Sequence, residues 1–239
     1  MNQHIKNVVL VHGAFADGSG WKRVADILKK DGYKVSVAQP PETSYADDQK
    51  YTKAAIDAMG GPVVLVGHSY GGSIITEAGN HPNVAALVYI AAFALDEGES
   101  CASIEQALPQ ASKAFKADSN GLWWIDEAHF VADFAADIPR DEAEFMAIAQ
   151  VPISTDSFTH QVKNPAWKHK PTWYMVASED RSINQSGPGA HDGEAREGRD
   201  GRGEVEPRGL HVSSEGSSQA HRSGCHLRTD QDSCLRSTP

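Results

Sequence analysis

The chain has 239 residues with a formal net charge of −10, 40% hydrophobic residues and 18 aromatic ones (7 Phe, 6 Tyr, 5 Trp). That length fits one α/β domain with a modest insertion. The acidic balance argues against a nucleic-acid or anionic-membrane partner. No apolar run approaches the ~20 residues of a membrane span. The opening "MNQHIKNVVLVHG" lacks the charged and long apolar regions of a signal peptide. Cys101, Cys225 and Cys234 have no zinc-type spacing, and their odd count suggests no disulfide framework, so a cytoplasmic protein is expected.

In chain order, "VVLVH" (8–12) reads as a buried strand followed by the Gly-rich loop "GAFADGSG". "WKRVADILKKDG" reads as a helix with Trp21, Val24, Ile27 and Leu28 on one face, stopped by Gly32. A strand over 33–38 ends at Pro40 and Pro41, and "SYADDQKYTKAAIDAMGG" predicts a helix that turns Ala55, Ile56 and Met59 inward. "PVVLVG" (62–67) is a third strand, "GGSIITEAGN" a third helix, "NVAALVYIAA" (83–92) a fourth strand and "TWYMVAS" (172–178) a later one. Near-continuous apolar strands alternating with helices imply a mostly parallel sheet with helices on both faces and right-handed crossovers. Residues 93–168 break the rhythm. They carry no clear strand, and "SIEQALPQASKAF", "WWIDEAHFVADFAA" and "RDEAEFMAIAQ" all read as helices. A helical cap over about 93–168 is therefore expected, with Trp123, Trp124, Phe130 and Phe134 either roofing a pocket or packing the cap onto the sheet.

Composition changes abruptly near Gln185. No Lys follows Lys170 and no aromatic residue follows Tyr174, while seven of the ten Arg and nine of the 21 Gly lie beyond 185. Residues 1–185 read as the folded domain. Residues 186–239 read as an atypical, disordered tail, because so few apolar groups do not offset the entropy of ordering a chain.

The stretch with chemical content is "VGHSYGG" (66–72). Gly-x-Ser-x-Gly directly between a buried strand and a helix is a nucleophile turn. The tight bend strains the serine backbone and lifts its hydroxyl above the sheet's carboxyl edge, where open α/β sheets bind ligands. Ser69 is thus the expected nucleophile. Its oxyanion would be met by the N–H of Tyr70 at the helix start and by that of Ala14 in the first loop. His12 and His68 flank these elements and are read as structural. Downstream, "VASEDRSIN" places Asp180 just past a late strand, with Glu179 as its rival, in the order serine then acid.

From Val8 to Asn184 the chain resembles the small α/β-hydrolases that include plant methyl-ester hydrolases, hydroxynitrile lyases and their bacterial esterase-like relatives. The resemblance rests on "VLVHGAFADGSGW", "GPVVLVGHSYGG", "VYIAAFALDEGES", "VPIS" and "KPTWYMVASEDRSIN". It implies a Ser–His–Asp triad with Asp180 as the acid, a helical cap, no cofactor, no metal and hydrolysis of small carboxylic esters. Gly13 matches the ester-hydrolysing members, where the lyases tend to carry a hydroxyl residue.

The family pattern then breaks. After the aspartate it continues with a helix, a strand and a histidine whose place falls near Pro207, and "QSGPGAHDGEAREGRDGRGEVEPRGLHV" has neither element by pattern. His191, His211, His221 and His226 remain, and His211 is the nearest candidate base by spacing, with no strand expected to carry it. Codons compatible with residues 185–209, read from their second base, spell N-P-D-L-E-R-M-M-A-K-R-A-K-G-A-T-V-E-V-K-S-S-H-V, which supplies the helix, the strand and the histidine. A shifted reading frame after Asn184 is therefore expected, against a genuine extension. Loss of an edge strand and its covering helix would expose apolar surface and favour self-association. The alternatives to an impaired esterase are a catalytically inactive ligand-binding protein and a hydroxynitrile-lyase-like enzyme.

Overall fold

In the computed structural model, residues 5–107, 114–177 and 211–212 are described. The first apolar run forms β1 (Asn7–Val11), followed by α1 (Lys22–Lys30), β2 (Lys34–Ala38), α2 (Tyr45–Asp57), β3 (Val63–Ser69), α3 (Tyr70–Ala78) and β4 (Val84–Ala92). The intervening segment contributes α4 (Cys101–Ala107), β5 (Phe115–Ala117), β6 (Leu122–Ile125), α5 (Glu127–Phe134), α6 (Arg140–Ile148), β7 (Ile153–Ser154) and α7 (Thr155–Thr159). The main sheet resumes with β8 (Thr172–Ala177) and β9 (His211–Val212).

The main sheet has the order β2-β1-β3-β4-β8-β9, and every neighbouring pair is parallel. Parallel strands require crossovers over a sheet face, and these are what bury it. On one face Val9, Val11, Val63, Leu65, Leu87 and Tyr89 pack beneath Ile56 of α2 and Ile74 and Ile75 of α3. Each fully buried aliphatic side chain contributes about 1.5–3 kcal/mol relative to exposure. Ser44 caps α2, its hydroxyl accepting from the Asp47 N–H at 3.1 Å, as the S-x-x-D pattern implies.

The opposite face carries a smaller core of Val8, Leu10, Trp21 and Val66, with Val35, Val37, Val64, Val88 and Ile90 half-buried around it. Among the described helices only α1 contributes to it. The expected apolar face of α1 departs from the sequence reading: Trp21 is buried just ahead of the helix, but Val24 and Ile27 are 38% and 48% exposed. Trp173, beside Val88 in the β4–β8 register, is 57% exposed. Among the described residues, a helix covers this face at one end of the sheet only.

Two further expectations are corrected. The segment read as wholly helical contains an antiparallel sheet, β5-β6-β7. Trp123 and Trp124 belong to its central strand, and Asp126 caps α5 by accepting from the Ala128 N–H. The reason lies in the turn: Gly121 takes φ +77°, and Asp118 accepts from the N–H groups of Asn120 and Leu122, so the chain reverses before the tryptophans. Phe130 is buried against Phe134, whereas Trp124 stands 37% exposed. The second correction is His211, expected outside any strand. His211 and Val212 pair in parallel with Val176 and Ala177, since the free edge of β8 offers unpaired backbone groups to a β-branched neighbour.

Candidate active site

Ser69 ends β3 and precedes α3 with φ 52° and ψ −124°, a conformation that non-glycine residues rarely adopt. The bend is held by close backbone packing. A Cβ on Gly67 would lie 2.6 Å from the Gly71 carbonyl oxygen, and one on Gly71 would lie 2.5 Å from that of His12. The two glycines flanking the serine are therefore sterically required, as the motif suggests. The carbonyl of Ser69 accepts from the Phe93 N–H at 3.1 Å, which ties the bend to the end of β4. Tyr70 is the first residue of α3, so its N–H belongs to the helix's unpaired N-terminal set.

The loop after β1 lies against this bend. A Cβ on Gly13 would meet the Cβ of Ser69 at 2.7 Å and the carbonyl of His68 at 3.1 Å. Ala14 follows, buried, and then Phe15 at φ 64°, whose ring contacts Phe115 of the small sheet at 5.5 Å. The structure thus brings Ser69, Tyr70 and Ala14 to one corner, at the carboxyl ends of β1 and β3.

His12 is 4% exposed, and its Nδ1 donates to its neighbour Gly13's carbonyl at 3.0 Å. Burial holds its pKa below the ordinary histidine value, so the ring is neutral at pH 7. His68 is half-buried and meets the Trp21 ring edge-on at 6.4 Å.

Asp180, its rival Glu179 and the tail histidines other than His211 lie outside the described residues. His211 opens β9 at the level of Val176. Two strands, β4 and β8, separate β9 from β3. At about 4.8 Å per strand, roughly 14 Å divides the His211 backbone from that of Ser69.

Sequence reasoning missed a buried acidic pair beneath this corner. Glu42 and Asp48 are both fully buried. Asp48 accepts from the Glu42 N–H at 2.7 Å, the Tyr70 hydroxyl at 2.6 Å and the Ser157 hydroxyl at 2.9 Å. Glu42, at φ 60°, accepts from the Phe15 N–H at 3.4 Å, and its own carbonyl accepts from the Ser154 N–H at 2.8 Å. Its Oε1 lies 3.5 Å from His12 Nδ1 and has no hydrogen-bond partner among the described residues. Burial, reinforced by the neighbouring Asp48, pushes the Glu42 carboxyl well above the usual range. Burial also raises Asp48, against the pull of its three donors.

A parallel sheet, an inserted cap and a strained serine between strand and helix are the architecture of an α/β-hydrolase. The chain belongs to the Alpha/beta hydrolase family, whose model matches residues 8–217. It is 26% identical over 204 residues to Alpha/beta hydrolase nvfD of Aspergillus novofumigatus, covering 74% of this chain and 78% of that protein. It is 35% identical over 119 residues to a carbendazim hydrolyzing esterase of a Nocardioides species, covering 43% of this chain and only about half (49%) of that esterase. Among solved structures, an extracellular α/β-hydrolase from a Paenibacillus species superposes with a TM-score of 0.63 at 21% identity, over 77% of this chain and 81% of that one. Polyneuridine aldehyde esterase gives a TM-score of 0.63 at 17% identity, over 75% and 83%. At these identities the structural likeness speaks to the fold.

Proposed function

We propose that the chain is a serine hydrolase of small carboxylic esters, with Ser69 as nucleophile. The observation that carries this reading is the backbone of Ser69 at φ 52° between β3 and α3, with the loop after β1 packed on it. In the proposed reaction Ser69 Oγ attacks the ester carbonyl while a base takes its proton. The Tyr70 and Ala14 N–H groups hold the oxyanion, each typically contributing ~2.7–4 kcal/mol in the transition state. Collapse of the intermediate expels the alcohol, and water then releases the acid from the acyl-serine. Asp180 would orient the base and stabilise its charged form. No cofactor or metal enters this scheme. The named activities of the Nocardioides esterase and of a pyrethroid hydrolase of Sphingobium wenxiniae support an ester substrate. A cytoplasmic setting is part of the reading, supported by the cysteine usage.

The base is where this chain differs. His211 is its candidate, and its backbone lies in β9, with β4 and β8 between it and β3. That separation, with Pro207 standing where the family pattern calls for histidine, favours a second reading: a ligand-binding α/β-hydrolase-fold protein with little turnover. Both readings take the segment after Asn184 as a frame-shifted replacement of the last helix, strand and catalytic histidine. Loss of a triad histidine costs on the order of 10⁶ in turnover.

Hydrolysis of p-nitrophenyl acetate by the full chain, Ser69→Ala, His211→Ala and a chain with the shifted frame restored after Asn184 separates these readings. A rate for the full chain above Ser69→Ala supports the esterase, and a further fall in His211→Ala assigns the base. Equal rates for the full chain and Ser69→Ala, with strong activity on frame restoration, leave the ligand-binding reading. Inactivity of the restored chain would discard both the frame-shift and the esterase. Cyanide release from a cyanohydrin would instead indicate a lyase.

A further inference from the structure

We propose that Asp48 is a positioning residue for the oxyanion site, holding the Tyr70 and Ala14 amides at their working separation and anchoring both to the cap. This rests on the esterase reading above. Three elements that share no sequence continuity converge on the Asp48 carboxylate. The Tyr70 hydroxyl comes from the first turn of α3, the Ser157 hydroxyl from α7 and the Glu42 N–H from the segment after β2. Tyr70 supplies a buried side chain to Asp48 and, from the same residue, one of the two proposed oxyanion donors.

The second donor is reached through Glu42. Its N–H is fixed by Asp48, and its side chain accepts from the Phe15 N–H, one residue beyond Ala14. Phe15 sits at φ 64°, an unfavourable conformation for a phenylalanine, so an outside constraint is needed to hold it. Glu42 also stands in the left-handed region, at φ 60°, and its carbonyl takes the Ser154 N–H of β7. The carboxylate therefore lies at the node of two struts, one to each side of the serine corner, and a third to the cap. Charge-assisted bonds of this kind are short and about twice as strong as neutral ones. A hydroxyl-bearing aromatic at position 70, where the nucleophile motif itself demands no particular side chain, gives that residue a use beyond its amide.

The test compares p-nitrophenyl acetate with its thiono analogue, in which sulfur replaces the carbonyl oxygen and the oxyanion donors contribute far less. Asp48→Ala, assayed below its melting temperature, should lower kcat on the oxygen ester on the order of 10²-fold, the scale of one lost donor. KM and the thionoester rate should change little, and Asp48→Asn, which keeps the shape and an acceptor for the Glu42 N–H but meets the two hydroxyls with an amide that only donates, should recover part of the loss. If Asp48→Ala does not fold, Tyr70→Phe, which removes one strut, should show the same selective loss more weakly. Equal losses on both esters would overturn the proposal in favour of a purely structural role. Where the unmodified chain turns over no faster than Ser69→Ala, backbone amide NMR decides. The Tyr70 and Ala14 resonances should both move in the position-48 variants, and unmoved resonances overturn the positioning role, independently of whether the chain hydrolyses esters.

Discussion

A Cβ added at Gly13 would stand 2.7 Å from the Cβ of Ser69, closer than side chains tolerate. The first loop and the nucleophile turn are thus packed to the limit at this one position. Gly13→Ala forces one of the two backbones to move, and overpacking of this type costs about 1–3 kcal/mol. The expected outcome is a lower melting temperature together with a tenfold or greater loss of any Ser69-dependent ester hydrolysis. A Gly13→Ala protein with unchanged melting and rate would show that the loop adapts freely.

Ser69 sits where only glycine is comfortable. Replacing it with alanine removes the hydroxyl and keeps the strain, whereas glycine removes both. Strain of this kind is of order 1–3 kcal/mol, and the added flexibility of the unfolded glycine chain offsets roughly 0.4–1 kcal/mol. Ser69→Gly should therefore be more stable than Ser69→Ala by about 1 kcal/mol in urea unfolding, with Ser69-dependent activity absent from both.

Glu42 gives a pH signature. Its folded pKa is raised by burial and by Asp48 above the ordinary value of 4.5. Between the unfolded and folded values the native state holds a proton that the unfolded chain has released, so stability falls as pH rises through that window. The contribution is complete below about pH 4.5 and lost upward from there. Glu42→Gln carries no titrating proton, and the stability difference between unmodified chain and variant should shift toward the variant as pH increases. Denaturant midpoints measured for both from pH 4 upward (a range chosen about the ordinary carboxylate value) check this. A pH-independent difference would mean that Glu42 titrates normally.

Trp173 tests the face of the sheet that no helix covers at the β8 end among the described residues. Trp173 is 57% exposed beside half-buried Val88, and Val24 and Ile27 of α1 are also exposed. We propose that this face drives self-association. Sedimentation velocity over a concentration series should show reversible association for the unmodified chain, reduced in Trp173→Ser. Association unaffected by Trp173→Ser would place the contact elsewhere.

Much of the corner around Ser69 was legible because steric necessity is written directly into sequence. Gly67 and Gly71 are there for want of space, with an apolar run long enough for a buried strand before them and a helix after. The acidic pair was hidden for the opposite reason. Nothing local distinguishes Asp48, which is buried, from Asp47, which accepts from the hydroxyl of the capping Ser44; only the approach of Tyr70 and Ser157 from far along the chain does. Trp123 and Trp124 were misread because apolar residues followed by a helical pattern suit either period, and the reversal at Gly121 decides between them. The exposure of Val24 and Ile27 depends on what else covers that face, which no helix-by-helix reading contains.

The central place of β3, flanked in parallel by β1 and β4, has a consequence for how the molecule breathes. Its amide protons are held between two neighbours, so they should exchange with deuterium more slowly than those of β2, which among the described residues pairs with β1 alone. Opening would start at that rim, leaving the serine corner among the last parts of the sheet to come undone.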